Sequence, residues 1–153
     1  MQLLIRPISP PDQPIAKQLV QEGLGSRFGH IDYSMNPDLN DIQANYIDQG
    51  HHFFVAEIEG EIIGTCALTN EAAGIGRIQR MSVRPEWQGN GFARQMTHFL
   101  IQTAHELGMS QLLVETNEGW ENALRLYKTS GFVETHRRGV EVHMAQTLGE
   151  ANH

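Results

Sequence analysis

The chain has 153 residues and a formal net charge of −7, from 11 Lys and Arg against 18 Asp and Glu. This length suits one domain with its own core, and the negative charge argues against nucleic acid or an anionic membrane as a partner. The single cysteine, Cys66, excludes an internal disulfide framework and is typical of a reducing compartment. The apolar runs are too short to span a bilayer, and the first residues lack the features of a signal peptide. We therefore expect one cytoplasmic domain over residues 1–153.

The hydrophobic periodicity and the turn residues predict an alternation of strands and helices. The predicted strands cover residues 3–8, 53–56, 62–68, 77–83, 111–116, 132–134 and 140–148, and the predicted helices cover 10–24, 37–49, 92–107 and 122–129. Gly23 and Gly25 are expected to end the first helix, and residues 70–76 are expected to form a loop. Helices that follow strands in the second half require crossover connections, so we predict a mixed sheet with at least one parallel pair.

Residues 83–94 lead from a strand into a long helix through a polar turn that contains glycines. The first amides of a helix have no partner within it, and the helix dipole adds partial positive charge there, so this turn is typical of an anion site. Gly91 has no Cβ to block an anion, Ala93 keeps the next inward position small, and Gln88 can brace the turn. The plainer interpretation is that Gly89 and Gly91 only permit a sharp entry into the helix.

Three glycine motifs compete as interpretations of this turn. A P-loop requires Gly-Lys followed by Ser or Thr, which is missing. A dinucleotide fingerprint requires Gly or Ala where Arg94 stands, and an acidic residue at the end of a second strand, where none is found. The pattern that remains is Gln-x-x-Gly-x-Ala, formed by Gln88, Gly91 and Ala93.

This pattern resembles the pyrophosphate-binding loop of the GNAT superfamily of acetyl-coenzyme A-dependent N-acetyltransferases, Arg/Gln-x-x-Gly-x-Gly/Ala. Residues 122–132 resemble a second family signature, Asn-x-x-Ala-x-x-Leu-Tyr-x-x-x-Gly-Phe, with an opening one residue shorter. The resemblance extends over about residues 51–147. It implies a three-layer α/β/α fold with a mixed, mostly antiparallel sheet of about seven strands and about four helices, and a cofactor-binding half at about 75–132.

The resemblance implies acetyl-coenzyme A as cosubstrate and no metal. The backbone of Met81, Ser82 and Val83 would pair with the pantetheine arm as if it were an extra strand. The phosphate loop corresponds to Gln88, Gly89, Asn90, Gly91, Phe92, Ala93 and Arg94, and further contact candidates are Asn117 and Asn122. Arg84 and Arg94 are interpreted either as positive charge for the phosphates or as solvated charges at a helix end.

The resemblance also implies a general acid. Tyr127 corresponds to the family residue that protonates the departing thiolate, and a phenol keeps its proton at neutral pH. Outside this motif, Tyr127 would be interpreted as a core residue beside Leu124 and Phe132. The general base is left open, because the glutamate that many members have early in the fourth strand is missing. Glu115 and Glu71 are the candidates, with solvated surface charge as the alternative role.

Two other chemistries receive little support from the sequence. Cys66 lies in the middle of a predicted strand, where a free cysteine usually packs as a small hydrophobe, so an acyl-cysteine mechanism is not expected. The histidines include the pair His51-His52, but none is placed at zinc-ligand spacing with further ligands. A metal site is therefore not expected.

The acceptor site is the least determined part. By resemblance, it would be formed by the first two helices, their connection and the last strands, with candidates Phe28, His30, Asp32, Tyr33 and residues 134–141. The predicted function is acetyl transfer from acetyl-coenzyme A to a primary amine of a small molecule or peptide, by direct attack in a ternary complex. The alternatives are a non-catalytic acyl-coenzyme A sensor and transfer of a longer acyl group.

A homodimer is also an expectation from the resemblance. The final strands mediate dimers in many family members, and Val140, Val142 and Met144 alternate as in an edge strand.

Overall fold

A computed structural model describes residues 2–28 and 36–149, and the side chains of 2–24 and 36–149. The strands are β1 (Leu4–Pro7), β2 (His52–Ile58), β3 (Glu61–Ala72), β4 (Ile75–Val83), β5 (Gln111–Asn117), β6 (Val133–Arg138) and β7 (Glu141–Thr147). The helices are α1 (Gln13–Phe28), α2 (Ile42–Asn45), α3 (Phe92–Glu106) and α4 (Glu121–Thr129), and short 3-10 turns cover Pro10–Asp12, Pro37–Asn40, Ile47–Gln49 and Pro85–Trp87. Among the described helices, none has the length and apolar character needed to cross a membrane.

The strands form one open sheet in the order β1-β2-β3-β4-β5-β7-β6. Every neighbouring pair is antiparallel except β4 and β5, which are parallel and joined through α3. The predicted mixed, mostly antiparallel sheet of seven strands with four helices is therefore confirmed.

The sheet has an apolar core on each face, which makes the fold three-layered. In β2, Phe53 and Val55 pack with α1, α2 and their neighbours, whereas Phe54 and Ala56 pack with α3 and α4 on the opposite face. Successive strand residues point to opposite faces, so a run of apolar residues in a central strand serves both cores.

The first helix is longer than predicted, because Gly23 and Gly25 do not end it. α1 continues to Phe28. A Cβ on Gly23 would lie 2.7 Å from Oγ of Ser82, and this hydroxyl donates to the carbonyl of Leu19 at 3.3 Å. Gly23 thus serves the close approach of α1 to β4 rather than a helix stop.

The second predicted helix is broken into short pieces. Asp41 accepts from the amide of Ala44 at 2.9 Å and starts α2 at a new position. The side chain of Gln13 on α1 donates to the carbonyl of Leu39 at 2.6 Å and accepts from the amide of Ile42 at 2.9 Å. These side-chain bonds replace a continuous helical ladder.

The prediction of a loop over residues 70–76 is wrong. β3 continues to Ala72 and β4 begins at Ile75, so the connection is a tight turn in which Gly74 has φ +76°. Glu71, a candidate base, therefore lies in a strand, one residue beyond Asn70, which pairs with Gly76.

The prediction of an edge strand at Val140, Val142 and Met144 is also wrong. β7 lies between β5 and β6, and Val142 and Met144 are fully buried in the core. Val140 precedes β7 in the turn from β6 and is exposed. The edge strand at this end of the sheet is β6, so the apolar alternation reflects core packing.

Candidate active site

A cavity of about 890 Å³ opens where β4 and β5 separate. Parallel pairing of these strands is limited to three positions and ends at Arg77 with Leu113. Beyond that point the strands diverge, and the space between them is bounded by α1, the loop from β4 to α3, and α4. Such a gap in a sheet leaves one backbone edge of β4 without a neighbouring strand.

A bulge in β4 accompanies this divergence. Arg80 has φ +54°, in the left-handed region that is uncommon for residues other than glycine, and its carbonyl accepts from Thr65 Oγ1 at 2.8 Å. After the bulge, β4 stays paired with β3, and Met81–Val83 line the cavity along the other edge. The predicted pantetheine-pairing residues therefore lie where an extended ligand could add to the sheet.

The side chain of Arg80 fastens the bulge to the segment before α2. Its Nη2 donates to both carboxylate oxygens of Asp38 at 2.8 Å, and its Nε donates to the hydroxyl of Tyr46 at 3.2 Å. Burial, reinforced by the hydrogen bond to Asp38, raises the pKa of Tyr46 to about 12. This network was not predicted from the sequence, where its only local signal is an arginine in an otherwise alternating strand.

The loop after β4 has the form of an anion-binding turn. Gln88 braces it by donating from Nε2 to the carbonyl of Val83 at 2.9 Å, as predicted, and Gly89 and Gly91 have φ of +81° and +80°. A Cβ added at either glycine would meet nothing within 4 Å, so the space in front of the turn is open.

The start of α3 leaves amides available to that space. The amide of Gln95 makes the first helical bond, to the carbonyl of Gly91 at 3.1 Å, so the amides of residues 92–94 precede the helical ladder. The first turn of α3 contains no acidic residue that would occupy them. Their direction and the helix dipole suit a phosphate group.

Arginines add positive charge around this turn. Arg84 donates from Nε to the carbonyl of Ile62 at 2.9 Å, and Arg94 donates from Nη2 to Thr129 Oγ1 at 2.7 Å. Both line the cavity, as does Arg125, and within the described part of the chain none of the three forms a salt bridge with a carboxylate. Their charge is therefore available to an anion.

The three asparagine candidates lie in different places. Asn122 lines the cavity near the start of α4. Asn117 accepts from the amide of Gly119 at 2.8 Å, and Asn90 donates to the carbonyls of Trp87 at 3.0 Å and Gln88 at 3.3 Å. Asn117 and Asn90 thus shape the two loops that border the cavity.

Tyr127, the candidate general acid, lies in the cavity wall on α4. Its side chain is buried, and its ring packs edge-to-face on Phe132 with centroids 5.7 Å apart. Gly131, at φ +103°, turns the chain after α4 so that Phe132 reaches this position. The motif residues therefore fix the ring through packing while it faces the cavity.

Glu115, the candidate base, lines the same cavity from β5. Its Oε1 lies 3.6 Å from Nη1 of Arg77 and 3.4 Å from Nδ1 of His143. Glu71 forms an ion pair with Nε of Arg77 and is not among the cavity residues. Of the two carboxylates named from the sequence, only Glu115 is brought to the cavity.

One ligand-type atom from each of Glu115, Glu141 and His143 lies within 4.8 Å of the others. The spacing of the histidines in the sequence did not indicate this cluster. The guanidinium of Arg77 beside Glu115 adds positive charge, which disfavours a metal ion at this place.

Several other candidates fall elsewhere. His30, Asp32 and Tyr33 lie outside the described residues, as does the side chain of Phe28. Within residues 134–141, the structure shows a surface ion pair between Glu134 and Arg137 and no wall of the cavity. Cavity residues that were not named from the sequence come from several elements, among them Glu22 and Gly23 on α1, a helix that was expected to border the acceptor site.

Cys66 is completely enclosed in β3. Burial raises the pKa of its thiol well above the ordinary value, which disfavours the thiolate that an acyl-cysteine mechanism needs.

Comparisons with known proteins agree with this geometry. The acetyltransferase (GNAT) domain family matches residues 49–134. The chain is 30% identical over 100 residues to the uncharacterized N-acetyltransferase YjgM of Escherichia coli (strain K12), covering 63% of this chain and 60% of that protein. The fold matches a GNAT-family acetyltransferase from Staphylococcus aureus Mu50 with a TM-score of 0.86 and 19% identity, covering 97% of this chain and 100% of that one.

A second solved structure is the PaiA N-acetyltransferase from Thermoplasma acidophilum in complex with coenzyme A. It matches with a TM-score of 0.83 and 14% identity, covering 96% of this chain and 99% of that one. Because the family match over residues 49–134 covers more than half of the chain, the chain belongs to the GNAT acetyltransferase family.

Proposed function

We propose that this protein transfers an acetyl group from acetyl-coenzyme A to a primary amine in a ternary complex. The observation that supports the proposal most directly is that one cavity joins an open strand edge at Met81–Val83 to the anion-binding turn at residues 88–94. A long ligand with an amide-bearing arm and a diphosphate requires both features along one path. The coenzyme A bound by the PaiA N-acetyltransferase is consistent with this ligand class.

The residues fit the coenzyme chemically. Backbone groups of Met81–Val83 would accept and donate as a neighbouring strand does, and the amides of residues 92–94 would hold the diphosphate. Arg84 and Arg94 would contribute charge near the phosphates. When bound, acetyl-coenzyme A supplies an activated acetyl group as a thioester.

The protein groups then move protons around the transfer. Glu115 takes a proton from the acceptor ammonium, which leaves a neutral amine. The amine nitrogen forms a bond to the acetyl carbon as the bond from that carbon to sulfur breaks, and the nitrogen then loses its second proton to solvent. Glu115 also returns the proton that it took to solvent. Tyr127 donates its hydroxyl proton to the departing thiolate and regains a proton from solvent. The overall reaction yields an acetylated amine, free coenzyme A and one released proton.

Two measurements test the proposal. Calorimetric titration of acetyl-coenzyme A should give a saturable heat, and thiol release should then be stimulated by at least one member of a panel of amines. Saturable binding without release on any amine would favour the acyl-coenzyme A sensor. Absence of saturable binding to the folded protein would contradict both functions. A matched series of longer acyl-coenzyme A donors would test the acyl-chain alternative.

Replacing Tyr127 with Phe removes the hydroxyl while keeping the ring that packs on Phe132. We expect kcat to fall about 10²-fold, because general acid catalysis typically contributes that much or more. The dissociation constant for acetyl-coenzyme A should stay within about twofold, since the packing is retained. Steady-state kinetics together with calorimetry measure both quantities. Unchanged kcat across the pH range would remove Tyr127 from the role of acid.

A further inference from the structure

A row of titratable side chains crosses the face of the sheet next to the cavity. Glu115 on β5 is the direct cross-strand partner of His143 on β7, and His143 is in turn the partner of His136 on β6. Directly opposed residues point to the same face of a sheet, so these three side chains are neighbours by register. A bulge between Glu134 and His136 keeps His136 on that face.

The imidazole of His143 is held from several sides. Its ring stacks on that of His136 with centroids 4.3 Å apart and an interplanar angle of 11°. Its Nδ1 lies 3.4 Å from Oε1 of Glu115, and its Nε2 lies 4.0 Å from Oε2 of Glu141. The side chain is only 18% exposed, and Nε2 is enclosed. This ring has little freedom to rotate.

Glu115 is less enclosed than His143, because its side chain is 43% exposed. Without neighbouring side chains to restrain it, this carboxylate would sample several rotamers. His143 and Arg77 both approach the same oxygen, Oε1, at 3.4 and 3.6 Å. The side chains of His143 and Arg77 therefore limit the movement of the carboxylate from one side, while Glu115 itself lines the cavity.

His143 itself is not a cavity residue, whereas Glu115 is. His143 would therefore affect a bound acceptor through the carboxylate of Glu115, which it contacts and which lines the cavity. Arg77 is less suited to that role alone, because its Nε is already paired with Glu71. We propose that His143 is the positioning residue that orients the Glu115 carboxylate toward the acceptor amine.

This proposal rests on the proposed function. In the step that it describes, an N–H bond of the acceptor ammonium breaks and the proton passes to the carboxylate of Glu115, while His143 and Arg77 stay beside its Oε1. His143 neither gains nor loses a bond to the substrate. Its contribution is to keep the accepting oxygen at the distance and angle that proton transfer requires.

A double-mutant cycle in kcat tests the coupling. His143→Gln removes the nitrogen that faces Glu115, and we expect kcat to fall about tenfold or more with an unchanged KM for acetyl-coenzyme A. In a Glu115→Gln background the same change should have no further effect, because the group that His143 acts through is already lost. His143→Asn, which places an amide nitrogen near the position of Nδ1, should recover part of kcat.

The control is His98→Gln, on an exposed position of α3 away from the row, and it should leave kcat unchanged. Full kcat in His143→Gln would overturn the proposal. So would equal losses from His143→Gln in the wild-type and Glu115→Gln backgrounds, because independent effects indicate a structural role. Thermal unfolding of each variant separates loss of fold from loss of positioning.

A spectroscopic test needs no acceptor. The ¹⁵N resonance of His143 Nδ1 should differ between the wild-type protein and Glu115→Gln, whereas the resonances of His98 should be the same in both. EDTA is added to both samples so that no metal ion binds at Glu115, Glu141 and His143. Absence of a shift at His143 would overturn the positioning contact even if the protein transfers acetyl groups. A clear shift in a protein that transfers acetyl to no amine would contradict both the proposed function and the positioning role. It would show only that His143 and Glu115 are in contact.

Discussion

Asp12 joins the end of β1 to the start of α1 through a set of short polar contacts. Its carboxylate accepts from Arg6 Nη1 at 2.7 Å and Nη2 at 3.1 Å, and from the amide and hydroxyl of Ser9, each at 2.8 Å. The hydrogen bond from Arg6, followed by those from Ser9, lowers the pKa of Asp12 from 3.8 to about 2. A carboxyl group whose pKa is lowered by folding stabilises the folded state only while it is ionised.

We expect Asp12→Asn to lower the free energy of unfolding by about 2 kcal/mol at neutral pH, from the size of the pKa shift. This contribution is present above the unfolded-state pKa, near pH 4, and is lost as the pH falls toward pH 2. Urea unfolding of both proteins at several pH values should therefore converge at the acid end.

The control for this prediction is Asp48→Asn, on an exposed position whose carboxylate accepts from Gln43. It should change stability by less than about 0.5 kcal/mol. A pH-independent difference between Asp12→Asn and the wild type would contradict the assigned cause.

A glycine with positive φ lies at each end of α3, so the effect of backbone strain can be separated from the effect of contact with a ligand. Gly91 precedes the helix with φ +80°, and Gly108 follows it with φ +79°. A Cβ at either position would meet nothing within 4 Å. Their surroundings within the protein are thus alike, but only Gly91 borders the cavity.

We expect Gly91→Ala and Gly108→Ala to lose similar stability, about 1 kcal/mol each, because both place a Cβ in left-handed backbone. Only Gly91→Ala should weaken acetyl-coenzyme A binding, by about tenfold or more, since its Cβ stands before the helix amides. Calorimetric titration and urea unfolding measure the two effects. Equal affinity in both variants would argue against an anion site at this turn.

Gly64 sets the spacing of β3, β4 and α3. A Cβ at this position would lie 2.8 Å from the carbonyl oxygen of Ser82 and 3.0 Å from Cε of Met96. The first atom belongs to the backbone of β4 and cannot move without shifting the strand that borders the cavity.

Gly64→Ala should therefore lower the free energy of unfolding by about 1–3 kcal/mol, the usual range for overpacking. Gly149→Ala is the matched control, because a Cβ there meets nothing within 4 Å, and it should be nearly neutral. Thermal or urea unfolding compares the two. If Gly64→Ala were as stable as the wild type, the prediction would be contradicted, because the backbone of β4 near Ser82 would then be able to shift and make room for the Cβ.

The charge of the whole molecule is −7, yet its cavity has arginines at the phosphate turn. The carboxylates at the cavity include Glu115 and Glu22, on the walls formed by β5 and α1. An anionic coenzyme would therefore bind next to positive charge, although the net charge of the molecule is negative. Local rather than net charge decides binding in a cleft, because exposed charges beyond about 8–10 Å are screened at physiological salt.

Acetyl-coenzyme A at about 100 times its dissociation constant should raise the free energy of unfolding by about 2.7 kcal/mol. For a chain of this size, that corresponds to an increase in Tm of about 5–11 °C. Differential scanning fluorimetry with and without the coenzyme tests this expectation. Free pantetheine at the same concentration is the control, and it should give a smaller shift because it lacks the diphosphate.

Short-range patterns in the sequence determined much of this protein. The hairpin at Glu59 and Gly60, the start of α3 after Gly91 and the turn at Gly131 all lie where they were predicted. Each of these features depends on a residue that adopts a positive φ, on a helix amide without a partner, or on the spacing of apolar residues. All three are properties of residues close together in the sequence. The family motif belongs to this class as well, because its residues act within one turn and one helix.

Contacts between distant segments decided the rest. Gly23 lies within α1, where Ser82 leaves no room for a Cβ, and Gly76 lies within the pairing of β3 with β4, where Met109 leaves no room for one. The approach of His143 to Glu115 depends on which strands are neighbours, and no local pattern encodes the insertion of β7 between β5 and β6. Strand order and register arise from burial of the whole sheet, so only the tertiary structure could bring that histidine to the candidate base.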